Sequence, residues 1–134
     1  MVVPNKIEDL HLETQGWKSH LQFVGDEMYF IEKLLNSYSF EPWTANLFER
    51  MEQCKHGFVQ TKKERDSLKK QIIRHGNHLG GIFECAPETC DNSFYERHHQ
   101  LQHRVSAFLA DYLALKTKIY DYVGSVMKRK KPGD

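Results

Sequence analysis

Residues that interrupt helices are scarce in this chain. Its 134 residues include only four prolines and eight glycines. Proline breaks the interior of a helix and glycine weakens it, so their scarcity leaves long segments without a helix breaker. This composition predicts an all-α protein with long helices.

Two further absences bear on location. Three cysteines are an odd number and too few for a disulfide framework. Residues 1–6 lack the apolar core of a signal peptide, and no run approaches the roughly eighteen apolar residues that a membrane-spanning helix needs. We therefore expect a cytoplasmic protein with no membrane span.

Neither sign of charge is in large excess. The net charge is +1, with 40% hydrophobic and 28% charged residues, which is typical of one soluble globular domain and gives no overall field to attract nucleic acid. The distribution is uneven, because residues 1–45 hold three basic and seven acidic residues, and residues 46–83 hold eight and four. We interpret this asymmetry as attraction between the first two helices of a bundle.

The strongest positive signal is a heptad repeat in the second predicted helix. Residues recur at alternating steps of four and three, which is the spacing of one buried stripe on a long helix. Eight of the eleven positions are apolar, and the exceptions are Thr61, Arg65 and His75. The seam consists of Leu47, Met51, Cys54, Phe58, Thr61, Arg65, Leu68, Ile72, His75, Leu79 and Ile82.

The segments on either side repeat the same rhythm. The first predicted helix has the seam Ile7, Leu10, Thr14, Trp17, Leu21, Val24, Met28, Ile31, Leu35 and Tyr38. The third has the seam Phe94, His98, Leu101, Val105, Phe108, Tyr112, Leu115, Ile119, Tyr122 and Val126. Three amphipathic helices are therefore predicted, at about 6–38, 45–80 and 92–128, followed by a basic tail at 128–134.

Local signals predict where the first helix begins. Asn5 and Glu8 have the spacing of a capping box, which places the start near Lys6. Gly16 weakens the middle of this segment by roughly 1 kcal/mol relative to alanine. A start near Thr14 is the alternative.

The second helix has a predicted signal at each end. Pro42 disfavours helix at the residue before it, and the hydroxyl of Thr44 can cap the helix that follows. Gly80 and Gly81 can adopt the left-handed conformation that ends many helices. We expect the helix to stop there.

Three such helices with short connections predict an up-down-up antiparallel bundle in a single domain, 1–134, with coiled-coil-like packing. Each helix would be on the order of 50 Å long, so the bundle is thin and has few core positions for its surface. Aromatic residues would then remain exposed and available to a second chain, which predicts a homodimer. The candidates are Phe23, Phe30, Phe83 and Tyr95.

One local pattern has a counterpart elsewhere. The run Leu10-His11-Leu12-Glu13, followed by Trp17, resembles the opening of a group of small uncharacterised bacterial all-helical proteins. The resemblance covers most of the chain and implies no activity, because that group has none assigned.

Histidines provide the main chemical lead. Antiparallel packing places His75 and His98 on facing seams within about one turn, at the end distal to the first connection. Imidazoles and carboxylates that converge inside a bundle are the ligands of zinc and di-iron sites. The other interpretation is structural, since a core histidine usually hydrogen-bonds a facing side chain. The predicted metal ligands are His11, His75, His78, His98 and His99, with Glu13 beside them.

Known metal motifs are not matched. His99 and His103 fit one element of the hemerythrin pattern, but the remaining elements are missing, and so is the His-Glu-x-x-His motif of zincins. Cys85 and Cys90 lie at the permissive edge of zinc-site spacing without a second cysteine pair. We interpret them as ordinary thiols, and Cys54 as a small buried residue.

Arg65 is the one charge on a predicted core seam. It lies about level with His20 on the first helix and Asp111 on the third. A buried charge needs a partner, so we predict an ion pair with Asp111, or alternatively Glu27, that fixes the register of the helices.

These patterns favour a non-enzymatic helical bundle that acts through protein contacts, mainly self-association. The alternative is a metal-binding bundle with zinc or iron at the histidines. A third hypothesis, an adaptor for nucleic acid or an anionic surface, is less favoured, because the basic stretch lacks base-stacking aromatics and contains Glu64 and Asp66. That stretch consists of Lys62, Lys63, Lys69, Lys70 and Arg74.

Overall fold

The computed structural model describes residues 3–37, 41–83 and 93–129, with side chains described at 8–37, 41–78 and 94–127. Three α-helices account for most of these residues: α1 (Val3–Leu35), α2 (Ala45–Phe83) and α3 (Ser93–Arg129). The described ranges contain no strand. The prediction of an all-α fold with three long helices is confirmed.

Contacts between side chains define the direction of each helix. Arg50 near the start of α2 bonds Ser125 near the end of α3, at 3.1 Å, while His75 near the end of α2 meets His98 near the start of α3. Those two helices are therefore antiparallel. Glu13 of α1 also contacts His98, so α1 and α3 run in the same direction. The order is up-down-up, and α2 packs more extensively against each neighbour than they pack against one another.

The predicted seams form the core. On α2, seven of the nine seam positions with described side chains are buried, and Thr61 and Arg65 are half-buried. Every seam position of α1 from Leu10 to Leu35 is buried, as is every seam position of α3 except the half-buried Leu115. The remaining seam side chains lie outside the described residues, and they are Ile7, Tyr38, Leu79 and Ile82.

The helix ends match the predictions only in part. The Oγ1 of Thr44 accepts the backbone N–H of Leu47 at 3.1 Å, which is the predicted cap of α2. α1 begins at Val3, before both of the starts considered for it, with Pro4 in its first turn, where proline is well tolerated. α2 continues to Phe83, past the stop expected near Gly80. Glycine permits a helix to end but does not force it to.

The charge asymmetry between the first two helices does not produce direct ion pairs between them in the described residues. Lys116 of α3 pairs with Glu27 of α1 at 3.0 Å, and Arg104 of α3 pairs with Glu64 of α2 at 3.1 Å. Both bridges involve α3. The close electrostatic contacts therefore tie the third helix to the other two.

Several large apolar side chains face outward. Phe23 and Phe30 are exposed on α1, as predicted, whereas Tyr95 is half-buried with its ring edge-on to Phe94. The side chain of Phe83 lies outside the described residues. Within the part of the chain that the structure describes, no helix is apolar over a length sufficient to span a bilayer.

Candidate functional site

His75 and His98 face each other between α2 and α3. The Nε2 atom of His75 lies 2.9 Å from the Nδ1 atom of His98, and both side chains are buried, at 7% and 3% exposure. The predicted juxtaposition of these two residues on facing seams is confirmed. A direct imidazole–imidazole hydrogen bond satisfies one nitrogen of each buried ring.

Aromatic rings enclose this pair. The ring of Phe94 stacks on His75 with centroids 4.4 Å apart and an interplanar angle of 8°. The ring centroids of Trp17 on α1 and His98 are 4.6 Å apart. These contacts exclude water from the ring faces of both histidines. They also hold the two imidazoles in one orientation, because neither ring can turn without displacing an aromatic neighbour.

A carboxylate extends the pair into a chain of three groups. Oε1 of Glu13 lies 2.7 Å from Nε2 of His98. An ionised carboxylate only accepts hydrogen bonds, so His98 donates its Nε2–H to Glu13. In neutral His98 the Nδ1 atom is then the acceptor, and the Nε2–H of His75 donates to it. We call this chain, Glu13–His98–His75, the histidine relay.

The inner end of the relay resists protonation. Burial, together with the neighbouring His98, Arg97 and His78, lowers the pKa of His75 from its ordinary 6.5 to about 4. His75 is therefore a neutral imidazole at neutral pH. A neutral ring that is hydrogen-bonded to a second ring, which in turn bonds a carboxylate, can accept a proton when the charge around it changes.

The relay borders an open groove between α2 and α3. The groove has a volume of about 450 Å³, and His75, His78 and Leu101 form part of its lining. Among the described residues, its other lining side chains are two glutamines and three arginines, and none of these is a carboxylate. These are Gln71, Gln100, Arg74, Arg97 and Arg104. We call this feature the arginine groove.

One arginine of the groove is fixed by hydrogen bonds. Nη1 of Arg104 donates to Oε1 of Gln71, and its Nη2 donates to Glu64 at 3.1 Å. Both acceptors lie on α2, so Arg104 bridges the two walls of the groove. The guanidinium is thereby held in a defined position.

The structure brings together only part of the predicted metal-ligand set. His78 lines the arginine groove, while His11 and His99 are exposed and His99 contacts His103 at 3.2 Å. Among the described residues, no group of three or more His, Cys, Asp or Glu side chains is arranged to hold a metal ion. The zinc or iron hypothesis therefore gains no support from the described geometry.

The predicted pairing of Arg65 with Asp111 was wrong. Arg65 donates its Nε–H to the backbone carbonyl of Leu21 at 2.8 Å, and its Nη1 lies 3.2 Å from the neighbouring Asp66. Heptad register sets the level of Arg65 but cannot show that the facing helix offers a backbone carbonyl within reach.

The alternative partner, Glu27, is also occupied by other groups. It accepts the Tyr112 hydroxyl at 2.5 Å and the Lys116 ammonium at 3.0 Å. Burial alone would raise the pKa of Glu27, but the hydrogen bonds from Tyr112 and Lys116 outweigh it, so the pKa is lowered. This cluster ties α1 to α3.

The arginine groove was missed at the level of sequence, although a signal for it exists. Arg97 and Arg104 stand seven residues apart beside the core seam of α3, as Gln71 and His78 do beside that of α2. Residues at this spacing share one face of a helix, so four polar groups flank the predicted α2–α3 contact.

The cysteine predictions divide between described and undescribed residues. Cys54 is buried, and burial raises the pKa of its thiol, as expected for a small core residue. Cys85 and Cys90 lie outside the described residues.

No protein-family model, curated protein or solved structure matches this chain.

Proposed function

We propose that this protein is a non-enzymatic helical bundle that works by self-association through the outer face of α3. The observation that carries the proposal is a second heptad seam on that helix, opposite its buried seam. This α3 outer seam has the four-three spacing of a helix-packing stripe, and it is exposed to solvent. It consists of Ala110, Leu113, Thr117, Tyr120, Gly124 and Met127.

The α3 outer seam is large and uncharged. Leu113, Tyr120 and Met127 are 59%, 42% and 56% exposed. Of the twelve exposed residues between Ser106 and Met127, three are charged, whereas nine of the eighteen exposed residues between Phe48 and His78 are charged. A solvated helix face normally resembles the second case. The scarcity of charge on α3 supports a surface that another chain covers.

The order of side chains in the seam points to a second copy of the same chain. Large residues at 113, 120 and 127 alternate with small residues at 110, 117 and 124. A parallel pair of seams would place large against large and small against small. An antiparallel pair places each large residue against a small one, which fills space evenly.

The antiparallel arrangement is in register along the whole seam. Leu113 of one copy lies level with Gly124 of the other, and Ala110 and Thr117 lie level with Met127 and Tyr120 in the same way. Each surface is then its own complement about a twofold axis, as a closed dimer requires. A Cβ built on Gly124 meets nothing within 4 Å, so the backbone of α3 is open to close approach there.

Light scattering across a concentration range tests the association. We expect wild-type protein to form a dimer and Leu113→Glu to be monomeric, because the substitution buries a charge within the interface. Val59→Glu is the matched control, since Val59 is 50% exposed on α2 and outside the seam. A wild-type monomer at high concentration, or a Leu113→Glu variant that still dimerises, would refute the proposal.

Disulfide trapping tests the orientation. In a variant with Cys54, Cys85 and Cys90 replaced by serine, Leu113→Cys together with Gly124→Cys is expected to give a covalent dimer under mild oxidation. Leu113→Cys alone is expected to remain uncrosslinked, because the two copies of position 113 are far apart in the antiparallel pair. Efficient crosslinking by the single substitution would indicate parallel packing and contradict the antiparallel dimer.

A further inference from the structure

We propose that the arginine groove binds a dianionic oxyanion, namely a phosphate group. The groove is on the side of α3 that faces α2, so it is separate from the α3 outer seam and this inference does not depend on self-association. Three features support the proposal: the arginine-rich lining, the geometry of the arginines, and the neutral imidazole of His75 in the lining.

The charge of the groove matches the proposed ligand. Arg74, Arg97 and Arg104 line it, and Arg104 is paired with Glu64. Arginine is suited to a phosphate group because its planar fork binds two oxygens at once.

One arginine of the groove is held in place by neighbouring side chains. Arg104 is held by Gln71 and Glu64, so one guanidinium is already oriented and loses little side-chain entropy on binding. The volume of about 450 Å³ lies in the range of small-molecule sites and exceeds the needs of one phosphate ion. We infer that the phosphate group belongs to a small phosphorylated organic molecule.

His75, in the lining of the groove, couples anion binding to a proton. His75 is faced by His98 and Arg97 of α3, by His78 of its own helix, and by Glu13 of α1 through His98. Burial and the neighbouring His98, Arg97 and His78 oppose protonation of His75. An anion bound in the groove has the opposite effect and favours the protonated imidazole. Binding is therefore expected to strengthen as pH falls.

Calorimetric titration at constant ionic strength tests the site. The probes are inorganic phosphate and phenyl phosphate, and we expect both to bind, with phenyl phosphate binding more tightly. Arg74→Gln and Arg97→Gln are each expected to weaken binding about tenfold or more, because each removes a charge-assisted hydrogen bond. Lys69→Gln is the control, since it removes the same charge from an exposed position of α2 outside the groove.

The outcomes separate a built site from general surface charge. No heat with either probe, or equal weakening by Lys69→Gln and Arg74→Gln, would overturn the proposal. Binding of inorganic phosphate alone would retain the anion site and refute the organic ligand. A single-stranded oligonucleotide whose binding survives Arg74→Gln and Arg97→Gln while phenyl phosphate does not bind would indicate a nucleic-acid surface instead.

A pH series tests the coupling to His75. Sulfate is the probe, because its charge is constant over the range in which imidazoles titrate. We expect its affinity to rise as pH falls in the wild type, and to rise much less in His75→Gln. His78→Gln serves as the control for the other groove histidine. An equal pH dependence in wild type and His75→Gln would refute the coupling while leaving the anion site intact.

Discussion

The guanidinium of Arg65 on α2 lies directly over Gly25 on α1. A Cβ built at Gly25 would collide with this guanidinium, whose Nε–H donates to the carbonyl of Leu21 one turn earlier. The missing side chain at position 25 is therefore what allows a charged group from α2 to reach the backbone of α1. Gly25 and Arg65 form a matched pair, and the ionised side chain is satisfied without a buried carboxylate.

This relationship predicts opposite effects for two glycine substitutions on one helix. Gly25→Ala is expected to lower the free energy of unfolding by about 1–2 kcal/mol, because Arg65 loses its place and its hydrogen bond. Gly16→Ala is expected to raise it by about 0.5–1 kcal/mol, since nothing lies within 4 Å of a Cβ at that position. Urea denaturation measures both.

A double-mutant cycle isolates the coupling of the pair. Arg65→Met removes the guanidinium, so Gly25→Ala is expected to cost little in that background. If the loss caused by Gly25→Ala were the same with Arg65 and with Met at position 65, the proposed collision would not be its cause.

The buried imidazole of His75 predicts a pH dependence of stability. Its pKa is about 4 in the folded state and near 6.5 in the unfolded chain. Between these values the unfolded state binds the proton and the folded state does not, so stability falls as pH decreases from about 6.5 to 4 and changes no further for this group below that. The loss is on the order of 3 kcal/mol. Urea midpoints measured across this range test it.

A variant identifies the group responsible. His75→Leu removes the titrating ring and places an apolar side chain at this buried seam position. The slope of stability against pH between 4 and 6.5 is therefore expected to diminish. His78→Gln, which changes an exposed histidine one turn away, is expected to keep the slope. An unchanged slope in His75→Leu would assign the effect to another residue.

The Glu27 cluster predicts a second, more acidic dependence. The pKa of Glu27 is lowered in the folded state, so its stabilising contribution is present above the unfolded value of 4.5 and is lost as pH falls through the folded value. Tyr112→Phe removes the 2.5 Å hydrogen bond and is expected to cost about 1–2 kcal/mol at neutral pH. At acid pH, where Glu27 is protonated, the two proteins should differ less. Thermal unfolding at neutral and acid pH checks this.

The histidine relay also provides a test of the metal hypothesis. His75 and His98 use one nitrogen each to bond one another, and Glu13 uses the second nitrogen of His98. A metal ion would have to displace these bonds, so added zinc is expected to shift the melting temperature equally in wild type and His75→Leu. A shift that is present in the wild type and abolished in His75→Leu would instead establish a metal site at the relay.

The buried faces of the helices could be predicted because helical periodicity is a local property. Steps of three and four residues determine which side chains share a face, and only an apolar face can be buried at low cost. Periodicity therefore identifies the seams of all three helices. It also places His75 and His98 on facing seams within one turn, since short connections leave little freedom in the relative level of antiparallel helices.

The partners of the polar groups could not be predicted in the same way. The carbonyl of Leu21 that binds Arg65, the link from Glu13 to His98, and the bridge from Arg104 to Glu64 each depend on distances of about 3 Å between helices. Periodicity gives a level to within one turn, which is about 5 Å, and this is coarser than a hydrogen bond.

The sequence alone therefore determined which residues are buried, how the three helices run, and where Thr44 caps the second of them. Only the tertiary structure decided that Arg65 binds a backbone carbonyl, that the histidines form a relay with Glu13, and that three arginines line one groove. Burial follows from the sum of many weak local preferences. Hydrogen bonds between helices instead require the exact separation and rotation of neighbouring helices, which the packing of the whole core sets.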